Sequence, residues 1–276
     1  FFDVRKPPFE IYGLYNPLSE NDFKRMPDDV ALKTSEGVGA LYLNTAGGRV
    51  RFSTDSPYVI IRAEMPTMCK MSHFSITGSC GFDLYSEDEW GNSNFEGVFK
   101  PLFHEEGGFE SKVVLSGKKK RYLTINFPTY SNVRNLYIGV HKNSRLGKGL
   151  KYIPQKPIVY YGSSITQGGC ASRPGNTYES IISQRMNIDH INLGFSGSGR
   201  GEESMAKYIS TLDMSAFVLD YDHNSPTEEH LYETHYRFYK TVRDAKKDIP
   251  IIIMSRSDFE YRYRESVLRR NIIFET

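Results

Sequence analysis

Past residue 152, four apolar runs at 158–161, 191–195, 216–222 and 249–255 alternate with helix-length segments over roughly 177–187, 202–211 and 227–246. That alternation leaves few folds open. It predicts right-handed βαβ units joined into one parallel sheet with helices on both faces, a three-layer α/β domain. The first run is almost wholly apolar, as a strand covered on both faces must be. A last helix is expected from near Asp258 to the end of the chain. Ahead of this region the period changes. From about residue 38 to 141 the chain breaks into short strand-like runs such as Tyr58-Val59-Ile60-Ile61-Arg62-Ala63 and Tyr122-Leu123-Thr124-Ile125-Asn126-Phe127. Turn clusters such as Ala46-Gly47-Gly48 and Gly78-Ser79-Cys80-Gly81 separate them. Short strands at regular spacing, with no long helical period, predict an all-β sandwich or jelly roll. The expected division is therefore 1–152 and 153–276.

Composition narrows the partners. The net charge of +2 over 276 residues favours neither nucleic acid nor an anionic membrane. The one basic run, Lys118-Lys119-Lys120, lies between two strand-like segments and reads as a solvated hairpin tip. Tyr (19) and Phe (17) are abundant and are expected to fill β cores rather than to form a sugar-stacking surface. Cys69, Cys80 and Cys170 make neither a disulfide framework nor a zinc site and read as free thiols. No stretch approaches the roughly 20 apolar residues that cross a bilayer. The chain begins at Phe1, so a removed leader stays open, as do localisation and oligomeric state.

In parallel α/β sheets, ligand groups gather beyond the carboxyl ends of the strands. Here the first strand runs into Gly162-Ser163-Ser164, the second into Asn192-Leu193-Gly194-Phe195-Ser196-Gly197, and the third into Asp220-Tyr221-Asp222-His223-Asn224. Ser164 is placed where a nucleophile is exposed yet rigidly held, and Asn176 and Thr177 are expected to cap the following helix. Attack on an ester builds an oxyanion, which needs donors aimed at the developing charge. The Ser164 N–H, the N–H of Gly197 and the Asn224 amide are the candidate donors.

These blocks resemble those of the SGNH (GDSL) hydrolases. Gly162-Ser163-Ser164-Ile165-Thr166-Gln167-Gly168 is similar to the first block, with Ser163 where Asp is common. Asn192–Gly197 resembles the second, which contributes the oxyanion glycine, and Tyr221-Asp222-His223-Asn224 the third, which contributes the oxyanion asparagine. The preceding β half resembles the jelly-roll module of some carbohydrate esterases. The resemblance implies a serine esterase that removes O-acetyl or other short acyl groups, with carbohydrate as the expected alcohol and no cofactor or metal. Catalytic roles fall to Ser164, Gly197 and Asn224, and Arg173, in the loop after the nucleophile, is a candidate substrate contact.

The fourth block of that family, Asp-x-x-His, supplies the general base and its orienting carboxylate, and no such motif follows Asn224 here. The expectation is that the base lies beyond Thr276, leaving this form nearly inactive. His223, His230 and His235 are poorer substitutes, and His73, His104, His141 and His190 have no better case. Asp222 is expected to bond within its loop, and Arg256 and Asp258 fall near the end of the fourth strand. Two rival readings stand beside the esterase. One is a sugar-binding β module fused to an incomplete hydrolase domain. The other is a haloacid-dehalogenase-type phosphotransferase with Asp220 as nucleophile, Asp222 as acid/base and Mg²⁺ as cofactor.

Overall fold

The computed structural model describes residues 1–88, 92–153, 155–257 and 263–276. Asp258, and with it the expected start of the last helix, lies outside the described residues. The β half holds β1 (Phe2–Asp3), β2 (Glu10–Tyr12), β3 (Arg49–Thr54), β4 (Tyr58–Glu64), β5 (Phe82–Glu87), β6 (Ser93–Phe99), β7 (Gly108–Val114), β8 (Arg121–Asn126), β9 (Asn135–Gly139) and β10 (Leu146–Lys148). Three short helices interrupt them: α1 (Asp28–Thr34), α2 (Glu36–Leu41) and α3 (Ile76–Ser79). One antiparallel sheet runs β1-β9-β4-β7, the other β10-β3-β8-β5-β6 with β2 added on β3. Period-two alternation explains their facing. Val59, Ile61 and Ala63 of β4 point into a core shared with Val50 and Phe52 of β3 and Leu123 and Ile125 of β8.

The Lys118–Lys120 segment is exposed as expected, but it is not a hairpin tip. It joins β7 in one sheet to β8 in the other, so it is a corner of the sandwich. The three cysteines are free, with the Cys80 thiol donating to the Cys69 carbonyl at 3.1 Å.

The second half holds β11 (Ile158–Gly162), α4 (Ser164–Gln167), α5 (Tyr178–Met186), β12 (His190–Gly194), α6 (Glu203–Thr211), β13 (Ala216–Asp220), α7 (Glu228–Ala245), β14 (Ile251–Ile253) and α8 (Tyr263–Phe274). The four strands are parallel in the order β12-β11-β13-β14. The chain steps to one side of β11 and then crosses to the other, so the order reverses at the carboxyl end of β11. The third strand stops at Asp220 and not at residue 222, because Asp222–Asn224 turn into a 3₁₀ helix.

Val159, Tyr161, Leu193, Phe217 and Leu219 face a core closed by α6, α7 and α8. Ala31 of α1, Val38 of α2 and the flanking Met26 and Tyr42 join this core rather than that of the sandwich. These two helices carry no long amphipathic period, and their packing is decided by the sheet they cover. On the opposite face Tyr160 meets Tyr178 of α5 edge to face, with centroids 5.6 Å apart. Phe238 of α7 stacks on Tyr161 at 4.7 Å and touches Phe217 and Tyr221, tying the longest helix to two strands. Phe238→Ala is expected to cost about 3–5 kcal/mol of stability, read from urea unfolding. A loss below about 1 kcal/mol would mean that α7 is held by other contacts.

Candidate active site

Ser164 is the first residue of α4, half-buried, one step past the strand end. Ser163, fully buried, caps that helix by accepting the Ile165 N–H at 3.2 Å, and its own N–H is held by the Asp220 carbonyl at 3.1 Å. So the residue standing where the related family usually has Asp serves here as an N-cap. α4 lies almost against the sheet. A Cβ on Gly162 would fall 2.2 Å from Thr166 Oγ1, and one on Gly194 would fall 2.2 Å from the Gln167 nitrogen. The Ser164 hydroxyl has no hydrogen bond to any described residue, and neither does its N–H.

The loop after β12 is folded onto the Phe195 carbonyl, which accepts from the N–H groups of Ser198 and Gly199 at 3.0 Å each. Gly197 sits at the tip in the left-handed region, φ +65°, with open space where a side chain would be. Its N–H has no acceptor among the described residues. Gln167 links this loop to α4 and to the β half. Its Oε1 accepts the Ser196 N–H at 2.8 Å, while its amide donates to Asn44 Oδ1 at 3.0 Å and to the Thr129 carbonyl at 3.2 Å. Beneath the loop, Arg25 is fully buried with its guanidinium on the carbonyls of Asn192, Gly194 and Leu41 and 4.4 Å from the Phe195 ring centre. Burial pushes Arg25 down to about 9.

Asn224 reaches the same loop. Its amide nitrogen donates to the Phe195 carbonyl at 2.9 Å and to the Gly199 carbonyl at 3.0 Å. An amide nitrogen has two hydrogens. Both are therefore engaged in bracing the Gly197 loop, and an oxyanion would have to share or displace one of them. Next to it, Asp222 is buried and clamped by Arg269, whose Nε donates to Oδ1 at 2.6 Å and whose Nη2 donates to the Asp222 and Ser225 carbonyls. Asp220 is also buried, accepting from Thr166 Oγ1 at 3.1 Å, and burial with help from the Asp222 charge raises it to about 6. One carboxyl is thus closed in by hydroxyls and the other neutralised by an arginine. Neither is presented as the open nucleophile that the phosphotransferase reading needs.

Arg173 leads into the turn Pro174–Asn176 and anchors it to the sandwich. Its Nε donates to the Tyr85 hydroxyl at 3.1 Å and lies 3.8 Å from Asp83 Oδ2, and the guanidinium covers the Phe95 ring at 4.1 Å. Its two terminal nitrogens have no hydrogen bond to described residues. Asp83 adds a second tie, accepting the Gly175 N–H at 2.6 Å while Asn126 donates to its other oxygen at 2.8 Å. Burial raises Asp83 to about 6.

No histidine is hydrogen-bonded to Ser164 among the described residues. His230 Nδ1 pairs with Ser225 Oγ at 2.9 Å, and His235 pairs with Thr276 Oγ1 at 2.8 Å beside the Tyr221 ring. Burial pushes His235 down to about 4 and His190, which contacts Arg49, well below its usual value. His223 accepts the Ser257 N–H at 3.4 Å. Arg256 donates its backbone N–H to Asp222 Oδ2 at 3.1 Å and pairs with Glu265.

Several of these positions were not evident in the sequence. Gln167 lies three residues past Ser164 and could have been suspected on the facing turn of a helix. Asn44, Thr129, Arg25 and Asp83 are separated from the nucleophile turn by long stretches of chain, and no local signal points to them. Glu179 of α5 is fully buried, its two carboxyl oxygens have no hydrogen-bond partner among the described residues, and burial raises it to about 8. Because that value stands above its ordinary 4.5, the native state resists ionisation. Its contribution is complete at low pH and is lost as pH rises to about 8. Glu179→Gln should flatten that decline and raise the melting temperature at pH 8; an unchanged pH–stability curve would contradict the burial argument.

The architecture is shared with known proteins. The GDSL-like lipase/acylhydrolase family model matches residues 155–271. The model for the N-terminus of SGNH-hydrolase-type esterases matches residues 1–146, more than half of the chain. No curated protein matches the chain in sequence. Among solved structures, a Bacteroides ovatus protein described as a GDSL-like lipase superposes with TM-score 0.88 at 27% identity, over 99% of this chain and 80% of that one. The salicylyl-acyltransferase SsfX3 of a tetracycline biosynthetic pathway gives 0.73 at 16% identity, over 98% and 78%. A family two carbohydrate esterase of Clostridium thermocellum, solved with cellohexaose, gives 0.62 at 13%, over 97% and 84%.

Proposed function

Since the chain belongs to the SGNH-hydrolase-type esterases, we propose that Ser164 is its nucleophile and that it cleaves short acyl esters, O-acetyl groups above all, carried on carbohydrate. The observation that carries this reading is the Ser164 hydroxyl itself. It stands unbonded at the first position of a helix, where the strand order of the parallel sheet reverses, with its own N–H and that of Gly197 also unclaimed. The two N–H groups are proposed as the core of the oxyanion hole. Asn224 is proposed as the third donor, turning one hydrogen from a loop carbonyl to the oxyanion. Arg173, fixed by Tyr85 and Asp83, would offer its terminal nitrogens to the substrate. In this reading residues 1–152 are a sandwich domain that buttresses the hydrolase domain of 153–276, with α1 and α2 lent to the second core.

Carbohydrate as the alcohol is supported by the fold shared with carbohydrate esterases, which is an argument from analogy. Attack by Ser164 also needs a proton acceptor, and no described side chain is bonded to its hydroxyl. Turnover by the 276-residue chain is therefore expected to be slow. Hydrolysis of p-nitrophenyl acetate and of an acetylated xylo-oligosaccharide is the test. It should require Ser164 and should rise with added imidazole more in the parent than in Ser164→Ala. Equal rates for the two proteins with imidazole present would sink the assignment. Asn224→Ala should lower kcat by about 10²–10³-fold through the lost donor. A fall of less than tenfold in a normally folded variant would remove Asn224 from the oxyanion hole.

A further inference from the structure

The corner between the two sheets of the sandwich carries a cleft of about 710 Å³ that the proposed chemistry does not use. Lys118, Lys119 and Lys120 line it from the β7–β8 connection, Tyr122 from β8, and Arg145 and Lys148 from the β10 segment. Among the described residues the single carboxylate there is Asp55, whose Oδ1 accepts the Arg145 backbone N–H at 2.8 Å. Among the described residues, Lys118, Lys119, Arg145 and Lys148 alone set four cations against that one carboxylate, in a chain whose total is only +2. Lys118, Lys119, Arg145 and Lys148 have no carboxylate within ion-pair distance among the described residues.

The cluster is held in shape rather than left to drift. Arg121 is buried, with 5% of its surface exposed, and lacks a carboxylate partner among the described residues. Its guanidinium donates to the carbonyls of Gly117 at 3.2 Å, Lys119 at 3.0 Å and Ser116. A sixth cation therefore pins the loop from below and turns its carbonyls inward while the three lysines face out. Like charges gathered this way repel one another, and an anion in the cleft would relieve that cost.

We propose that this cleft binds an acidic polysaccharide, one whose sugars carry carboxylate or sulfate groups. Its volume suits one or two sugar rings. Single-stranded nucleic acid fits less well because it needs open aromatic faces for its bases. Tyr122, the aromatic residue of the cleft, has the Lys120 ammonium over its ring at 4.7 Å and bonded to its hydroxyl at 3.0 Å. The cleft also lies away from the candidate nucleophile. Arg49, at one end of β3, reaches Asp189 beside the parallel sheet, whereas Ser53 and Thr54, at the other end, line the cleft about 15 Å further along the strand. It is an anchoring site, separate from ester cleavage. The choice of a sugar polyanion rests on the carbohydrate-esterase reading.

The test is calorimetric titration of the full chain bearing Ser164→Ala with hexagalacturonate, with a sulfated dextran oligomer and with neutral cellohexaose. One or both acidic glycans should bind, with affinity falling at least tenfold between about 50 mM and about 300 mM salt, and cellohexaose should not bind at this cleft. The carboxylate and sulfate arms separate the two acidic chemistries. Adding Lys119→Ala with Arg145→Ala should weaken acidic-glycan binding at least tenfold. The same pair in the Ser164 parent should leave p-nitrophenyl acetate hydrolysis unchanged. Equal binding by the double variant, no binding of either acidic glycan, or tighter binding to oligo-dT or to phosphatidylglycerol vesicles would overturn the proposal. Glycan binding that persists when imidazole-assisted hydrolysis proves independent of Ser164 would sink the Ser164 assignment and leave the cleft standing.

Discussion

Everything at the candidate site depends on how closely α4 approaches the edge of the parallel sheet. At 2.2 Å from the positions that Cβ atoms would occupy on Gly162 and Gly194, Thr166 and Gln167 leave no room for a side chain at either glycine. Because the two glycines are register partners on neighbouring strands, the helix settles across both strand ends at once. That contact places the Ser164 hydroxyl just outside the sheet. It also lets Gln167 reach Ser196 on one side and Asn44 and Thr129 on the other. A looser helix would free the backbone of the proposed nucleophile and break the bridge between three segments together.

The same arrangement explains an oddity of the sandwich. One face of its six-stranded sheet is polar and yet buried, with Arg49, Arg51, Asp83, Thr124 and Asn126 all largely out of solvent. These residues meet the second half of the chain. Arg49 pairs with Asp189, Arg51 donates to Asn187 at 3.2 Å, and Asp83 holds the Gly175 N–H. Buried polar groups need partners, and here each half supplies the other's. The turn after α4 is thus positioned by the β half rather than by the elements around the parallel sheet.

Electrostatics under the site follow from burial more than from pairing. Asp222 is held by Arg269, while Asp220 and Glu179 are raised by burial first and by a neighbouring carboxylate second. Arg25, with carbonyls as its partners, places a positive charge under the Gly194–Phe195 bend. Glu179, raised to about 8, is therefore mostly neutral near pH 7, so the carboxyls behind the site carry less negative charge than their number suggests.

Sequence by itself determined the parallel sheet, the sandwich and the position of Ser164, because apolar periodicity and a serine between glycines are local signals. It also marked Gly197 and Asn224 as the groups that follow the next two strands. Tertiary structure alone decided that α1 and α2 belong to the second core, since two short helices take their place from the surface they cover. It likewise decided that Asn224 braces the Gly197 loop, that Arg173 is tied to Tyr85 and Asp83, and that Lys118–Lys120 share a corner with Arg145 and Lys148. Each of these is a contact between residues far apart in the chain. Hydrogen-bond direction and charge clustering arise only when strands from different parts of the chain are brought side by side, and no spacing along one segment records them.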